Sequence, residues 1–276
     1  MLKNSQSPIL SSSPPNEIRP LIESIGFESI VKDWFAQKDS FINATLEGYI
    51  NGKRVDILPK EIRHTEKLNK SFRLTNVQLY SPQVKKYCDT ILAQKGLVLT
   101  ANVYFTPHLD AQCFTWHSDS QFSQTYQIEG EKKWSFLKDS IGFVREKYEQ
   151  EKILRKYKDH KLEATEVGFT LSKGSWLEFP YCLLHKAQNL GETPSIHITF
   201  AYNMATWGDF GKFAFEKIMG IPLRDNYMDK ICVEDLKCAL NKFDGNYTEF
   251  LTEFKEHVAI IENIKRTQGR PYGYEL

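Results

Sequence analysis

Trp116, His117, Ser118 and Asp119 follow one another as WHSD, at the head of a run rich in β-forming residues. In an extended chain the side chains of residues i and i+2 project to one face, so His117 and Asp119 point together while Ser118 points away. An imidazole and a carboxylate on one face can chelate a divalent metal, but they need a third ligand to hold it. His185, in GSWLEFPYCLLHKA, is the candidate. Two histidines and one carboxylate on one side of an iron leave open positions for a co-substrate and oxygen. HxD alone is a weak signal, because a histidine in a strand is more often a hydrogen-bonded structural residue than a ligand.

The neighbouring residues strengthen it. TYQIEGEKKWSFL is expected to form a hairpin turning near Glu129 and Gly130, and in its second strand Lys132 shares parity with Trp134 and Phe136. A lysine on the apolar side of a strand faces inward, and a buried ammonium is costly without an anionic partner. A dicarboxylate co-substrate would supply that anion at one end while chelating the metal at the other. In SIHITFAYN, Ser195, His197, Thr199 and Ala201 share one face, and in NVYFT, Asn102, Tyr104 and Thr106 do. A row of small polar side chains suits a wet, ligand-filled cavity, provided no bulge breaks the parity. For His197 a structural or supporting role is favoured over metal ligation.

The elements that must position these residues follow from the apolar spacing. Residues 1–16, MLKNSQSPILSSSPPN, are Ser/Pro-rich and expected to be a flexible arm. LIESIGFESIVKDWF predicts one or two short helices, and SPQVKKYCDTILAQKG a helix ending at Gly96. LVLTANVYF, FTWHSD, TYQIEG, KKWSFL, VGFTL, SWLEF and SIHITFAYN are β-rich runs divided by turn residues, the pattern of an antiparallel barrel or jelly roll. The charged run EKYEQEKILRKYKDHK reads as a solvated helix in an insertion between the metal ligands, and the chain turns helical again after Trp207.

The bulk numbers agree with one sizeable core. The 276 residues are 41% hydrophobic, and a net charge of +1 gives no global electrostatic footprint for nucleic acid, so none is expected as a partner. The opening 20 residues hold no stretch of signal-peptide or membrane-spanning length. Five cysteines without a close CxxC pair point to reduced thiols and a cytoplasmic setting.

With these residues in view, the chain resembles the JmjC-type iron(II)- and 2-oxoglutarate-dependent oxygenases, in their cupin-like ribosomal oxygenase branch. NVYFTP, WHSD, QIEGEKKW, KGSWLEFPYCLLHKA, SIHITF and WGDF carry the resemblance, in the family's order, across roughly residues 74–210. It implies a mainly β double-stranded β-helix (jelly-roll or cupin) core with flanking helices. The expected division is a catalytic domain at 17–206 and a C-terminal helical region at 207–276, a candidate homodimerisation element. His117, Asp119 and His185 would be the iron ligands. Lys132 would bind the distal carboxylate of 2-oxoglutarate, Tyr104 and Thr199 would hydrogen-bond that co-substrate, and Asn102 would line the same pocket.

The implied activity is hydroxylation of an amino-acid side chain in a protein or peptide, using iron(II), 2-oxoglutarate and O2. Too few residues follow WGDF for both the helical dimerisation region and the winged helix of ribosomal oxygenases. The substrate class therefore stays open between a ribosomal protein and a precursor peptide of a natural product. Two alternatives remain: N-methyl demethylation by the same chemistry, and a non-catalytic metal-binding cupin module. A retired catalyst has no need of an inward lysine, which favours the enzyme.

Overall fold

A computed structural model describes residues 8–119, 121–137, 166–180, 183–202 and 247–268. The charged run at 146–161, Cys182 and the segment after Trp207 as far as residue 246 lie outside the described residues. The chain divides into two compact units, residues 1–203 with 265–272, and residues 204–264 with 273–276.

The first unit holds two antiparallel sheets. The larger runs in the order β1 (Ile9–Ser11), β9 (Trp176–Phe179), β6 (Phe122–Glu129), β11 (Ser195–Tyr202), β5 (Thr100–Thr106), β4 (Ser71–Leu74), β2 (Leu46–Ile50) and β3 (Lys53–Val55). The smaller runs β10 (His185–Asn189), β7 (Lys132–Leu137) and β8 (Glu166–Leu171). Side chains of the smaller sheet, Trp134, Phe136 and Leu171, pack on Leu177 and Phe179 of the larger. The result is the jelly-roll architecture expected from the β-rich runs, with flanking helices.

Helices cover the back of the larger sheet. In α1 (Arg19–Glu23) Ile22 is buried, and in α2 (Phe27–Gln37) Phe27, Ile30 and Trp34 form the stripe of a half-buried helix. Helix α3 (Pro82–Lys95) buries Val84, Tyr87, Cys88 and Ile91, and Gly96 at φ 68° ends it in the left-handed conformation that glycine adopts freely. These stripes meet Val103 and Phe105 of β5 and Ile196, Ile198 and Phe200 of β11. Each such side chain contributes about 1.5–3 kcal/mol by leaving water. Their burial fixes the parity of both strands, so that Tyr104, His197 and Thr199 face the other way. Of the second unit only residues 247–264, the larger part of helix α4 (Tyr247–Gln268), are described.

Three sequence expectations need correction. Ile9–Ser11 are not a flexible arm but pair with β9, Ile9 opposite Glu178 and Ser11 opposite Trp176. Main-chain hydrogen bonds to an open sheet edge need no apolar side chains, so composition does not reveal such a strand. TYQIEGEKKWSFL is not a hairpin, because β6 pairs with β11 and β9 whereas β7 pairs with β10 and β8. The turn carries the chain from one sheet to the other. Parity also breaks on β6, where the register against β11 jumps from Ile196↔Glu129 to His197↔Gln127 and leaves Ile128 as an extra residue. The β11–β5 register runs unbroken from Ser195↔Thr106 to Ala201↔Thr100, so the inward row on those strands stands.

Gly130 makes the crossing between sheets possible. Its φ is +66°, and a Cβ there would lie 2.4 Å from the carbonyl oxygen of Pro194. Gly130→Ala combines left-handed strain with a backbone clash and is expected to cost about 2 kcal/mol or more in chemical denaturation. An unchanged unfolding midpoint would contradict this reading of the turn.

Candidate active site

The two histidines are brought together by backbone before any side chain acts. His117 and His185 form an isolated antiparallel bridge, with His117 N–H donating to His185 O at 3.0 Å and His185 N–H to His117 O at 2.8 Å. FTWHSD is therefore not a regular strand, and this single reciprocal pair does the positioning. Behind it, His185 opens β10 opposite Phe136 of β7. The imidazole centroids stand 4.3 Å apart. His185 Nε2 lies 3.7 Å from Asp119 Oδ2.

Both rings are held the same way. His117 Nδ1 lies 2.8 Å from the carbonyl of Thr115, and His185 Nδ1 lies 2.8 Å from that of Leu183. A carbonyl only accepts, so each Nδ1 carries a proton and donates it, and each Nε2 is the nitrogen turned to the site. Histidine ligands of metals are oriented and made more basic by this kind of contact. Burial, aided by the neighbouring His117, holds His185 down at about 4, so it is neutral at physiological pH. One ligand atom from each of His117, Asp119 and His185 lies within 4.8 Å of the other two. Two imidazoles and a carboxylate so placed fit the facial triad of a non-haem iron site.

The triad opens on a cavity of about 440 Å³, counting its mouth, lined also by Lys132, Tyr104 and Thr199. Lys132 is 1% exposed, and no ion-pair partner is found for it among the described residues. Its Nζ donates to His197 Nδ1 at 2.9 Å, which leaves the His197 proton on Nε2. Burial lowers the Lys132 ammonium to about 8. Burial and the Lys132 charge keep His197 neutral, and its ring stacks on Tyr104 at 4.7 Å and 7°. Thr199 Oγ1 lies 3.0 Å from Thr125 Oγ1.

Six of the seven expected site residues border this cavity, and Asn102 does not. Its side-chain oxygen accepts from the backbone N–H of Asn76, at 3.1 Å. Asn76 is in the left-handed conformation beyond the end of β4, where no ladder partner meets its N–H. Capping that group, not lining the pocket, is what Asn102 does.

Sequence reasoning missed Arg73, which lies opposite Tyr104 in the β4–β5 register. Its guanidinium donates to Glu47 Oε2 at 2.8 and 2.5 Å and stands 5.1 Å over Phe114, a cavity residue. The alternation in FRL, with Phe72 and Leu74 buried toward the helices, already carried the signal that Arg73 turns inward.

An antiparallel double sheet with a two-histidine, one-carboxylate cluster and an inward lysine defines a cupin-type metal site. Residues 73–210 match the JmjC domain family, and the chain belongs to that family. It is 28% identical over 179 residues to the bifunctional lysine-specific demethylase and histidyl-hydroxylase NO66 of Dictyostelium discoideum, covering 60% of this chain and 33% of that protein. It is 30% identical over 146 residues to ribosomal oxygenase 1 of Gallus gallus, covering 51% and 23%. The chain thus spans about a third or less of the length of these curated relatives. Among solved structures it is similar to Escherichia coli YcfD, with a TM-score of 0.57 at 11% identity over 93% of this chain and 69% of that one. The complex of YcfD with cobalt and 2-oxoglutarate gives a TM-score of 0.55, at 11% identity over 90% and 66%. At this identity the likeness establishes the fold.

Proposed function

We propose that the chain is an iron(II)- and 2-oxoglutarate-dependent oxygenase that hydroxylates a side chain of a protein or peptide. The observation that carries the proposal is the buried Lys132, which has no ion-pair partner among the described residues and shares a cavity with the triad. A binding module that kept a metal for structure would have no use for that cation. Membership of the JmjC domain family supports the reading, as do the names of the relatives, which speak of oxygenase, hydroxylase and demethylase.

Iron(II), when bound, supplies the chemistry that couples oxidative decarboxylation of 2-oxoglutarate to insertion of oxygen into a carbon–hydrogen bond. The chain's own residues bind and orient. His117, Asp119 and His185 would hold the iron. Lys132 takes the distal carboxylate, while Tyr104 and Thr199 present hydroxyls to the same molecule. Trp134 and Phe179 close the wall and keep water out. A ribosomal protein is the leading substrate class, from the names of the relatives, with a precursor peptide as the other. An N-methyl group presented at the same place would give demethylation. Ile260 and Ile264, exposed on one side of α4, support a homodimer formed through the C-terminal helices.

Anaerobic addition of iron(II) and 2-oxoglutarate is expected to produce a visible metal-to-ligand charge-transfer band. Metal binding without that band would leave the structural cupin module as the better account.

A further inference from the structure

The segment around His117 carries two of the three proposed metal ligands on one backbone bridge. That bridge to His185 fixes the His117 backbone, but the ring takes its direction from the Thr115 carbonyl, 2.8 Å from Nδ1. Thr115 lies outside every strand, so no ladder sets where its carbonyl points. Some other element must hold it.

A hairpin from the edge of the larger sheet reaches it. Strands β2 and β3 close at Ile50↔Lys53 on a two-residue turn, with Asn51 at φ 50° and Gly52 at φ 76°, both positive as a tight turn between twisted strands requires. β3 itself buries no side chain, so the hydrophobic core gives no reason for it. Its turn lies against the metal-site segment instead. A Cβ on Gly52 would stand 2.6 Å from Thr115 Cγ2 and 2.9 Å from the Thr115 backbone nitrogen. A second contact runs beside the first. Tyr49 of β2 is buried, with its hydroxyl donating to Glu47 Oε2 at 2.7 Å. Its ring meets Phe114 edge-on at 4.8 Å and 67°, and Phe114 lies 5.0 Å from the His117 ring.

We infer that the β2–β3 hairpin positions the metal ligand His117, with Gly52 as the positioning residue. Lacking a side chain, Gly52 lets the turn close directly on the Thr115 backbone, and the turn then fixes the carbonyl that orients the imidazole. The inference rests on the reading of His117, Asp119 and His185 as metal ligands. A contact that orients a ligating histidine is worth about 10–100-fold in metal affinity. Linkage makes the effect reciprocal: a hairpin that holds the ligand for the metal is itself held by bound metal.

The test uses the full chain with zinc(II), a redox-silent substitute for iron, as the probe. Gly52→Ala is compared with Gly96→Ala, which imposes the same left-handed strain at φ 68° but whose added methyl would meet nothing within 4 Å. Gly52→Ala is expected to weaken zinc binding about tenfold or more, read by competition with a chelating dye, while Gly96→Ala binds zinc as the wild type does. Equal zinc binding in the two variants overturns the inference and leaves the three ligands standing. In the wild type, zinc is expected to slow amide hydrogen exchange in β3 but not in β1, the equally short strand at the opposite edge of the same sheet. Exchange in β3 that is indifferent to zinc overturns the inference even where Gly52→Ala does not fold. A wild-type chain that binds no zinc overturns the inference and the reading of the triad together.

Discussion

Lys132→Met is expected to weaken 2-oxoglutarate binding about a hundredfold and at the same time leave the ligand-free protein at least as stable as wild type. The two effects come from one cause. An ammonium in this cavity has no carboxylate beside it among the described residues, so the free protein carries a desolvation cost that a dicarboxylate removes on binding. Methionine has a similar shape without the charge, so it relieves the cost and forfeits the binding. Losing a buried charged partner is worth a few kcal/mol, which is the source of the hundredfold figure. Isothermal titration against 2-oxoglutarate and chemical denaturation of the free protein measure the two arms. A variant that is less stable yet binds normally would contradict the assignment.

The same lysine sets a pH dependence whose sign can be worked out. In the folded chain burial lowers Lys132 to about 8, against 10.5 for the group in water. Between those values the unfolded chain holds more protons than the folded one, so the stability of the free protein rises with pH across that window. Lys132→Met lacks the rise. The groups facing Lys132 are His197, neutral throughout the window, and the Cys113 thiol, pushed up by burial to about 11. Affinity for 2-oxoglutarate moves oppositely, falling above about pH 8 as the free protein loses the proton that the carboxylate requires.

His185→Ala is expected to lower metal affinity by more than about a hundredfold and to abolish turnover, since losing even a supporting contact to a metal ligand costs 10–100-fold. The backbone bridge to His117 uses no side-chain atom, so the fold around the site is retained. His197 provides the contrast. Its Nδ1 faces Lys132 and it stands outside the cluster of three, so His197→Asn is expected to leave metal affinity unchanged while weakening 2-oxoglutarate binding. Cobalt(II) titration followed by its visible spectrum measures both. Equal losses of metal in the two variants would mean that His197 is a ligand and that the triad is drawn wrongly.

Much of this site was legible because alternation along a strand is a local property. His197, Thr199 and Tyr104 face inward for the same reason that Ile198, Phe200 and Val103 face the helices, and the sequence shows both sets. Lys132 could be placed by parity with Trp134 and Phe136 even though the hairpin assumed for it does not exist, since parity within β7 survives a wrong partner. Pairing is not local, and there the reading failed. Nothing in TYQIEGEKKW distinguishes a hairpin from a crossing between sheets until Pro194 is seen packed over Gly130. Ile9–Ser11 join a sheet through backbone atoms, to which side-chain composition is blind. Asn102 had the right face and the wrong neighbour, because the need of the Asn76 N–H arises only where β4 ends.

The central claim is that the triad and Lys132 together run 2-oxoglutarate chemistry, and it can be tested without knowing the protein or peptide substrate. The measurement is the mass of succinate formed from 2-oxoglutarate by the iron(II)-loaded chain under isotopically heavy dioxygen. One heavy oxygen atom in each succinate, with no product from His185→Ala, is the predicted result. An iron-loaded protein that forms no succinate, or forms it without the label, would contradict the account.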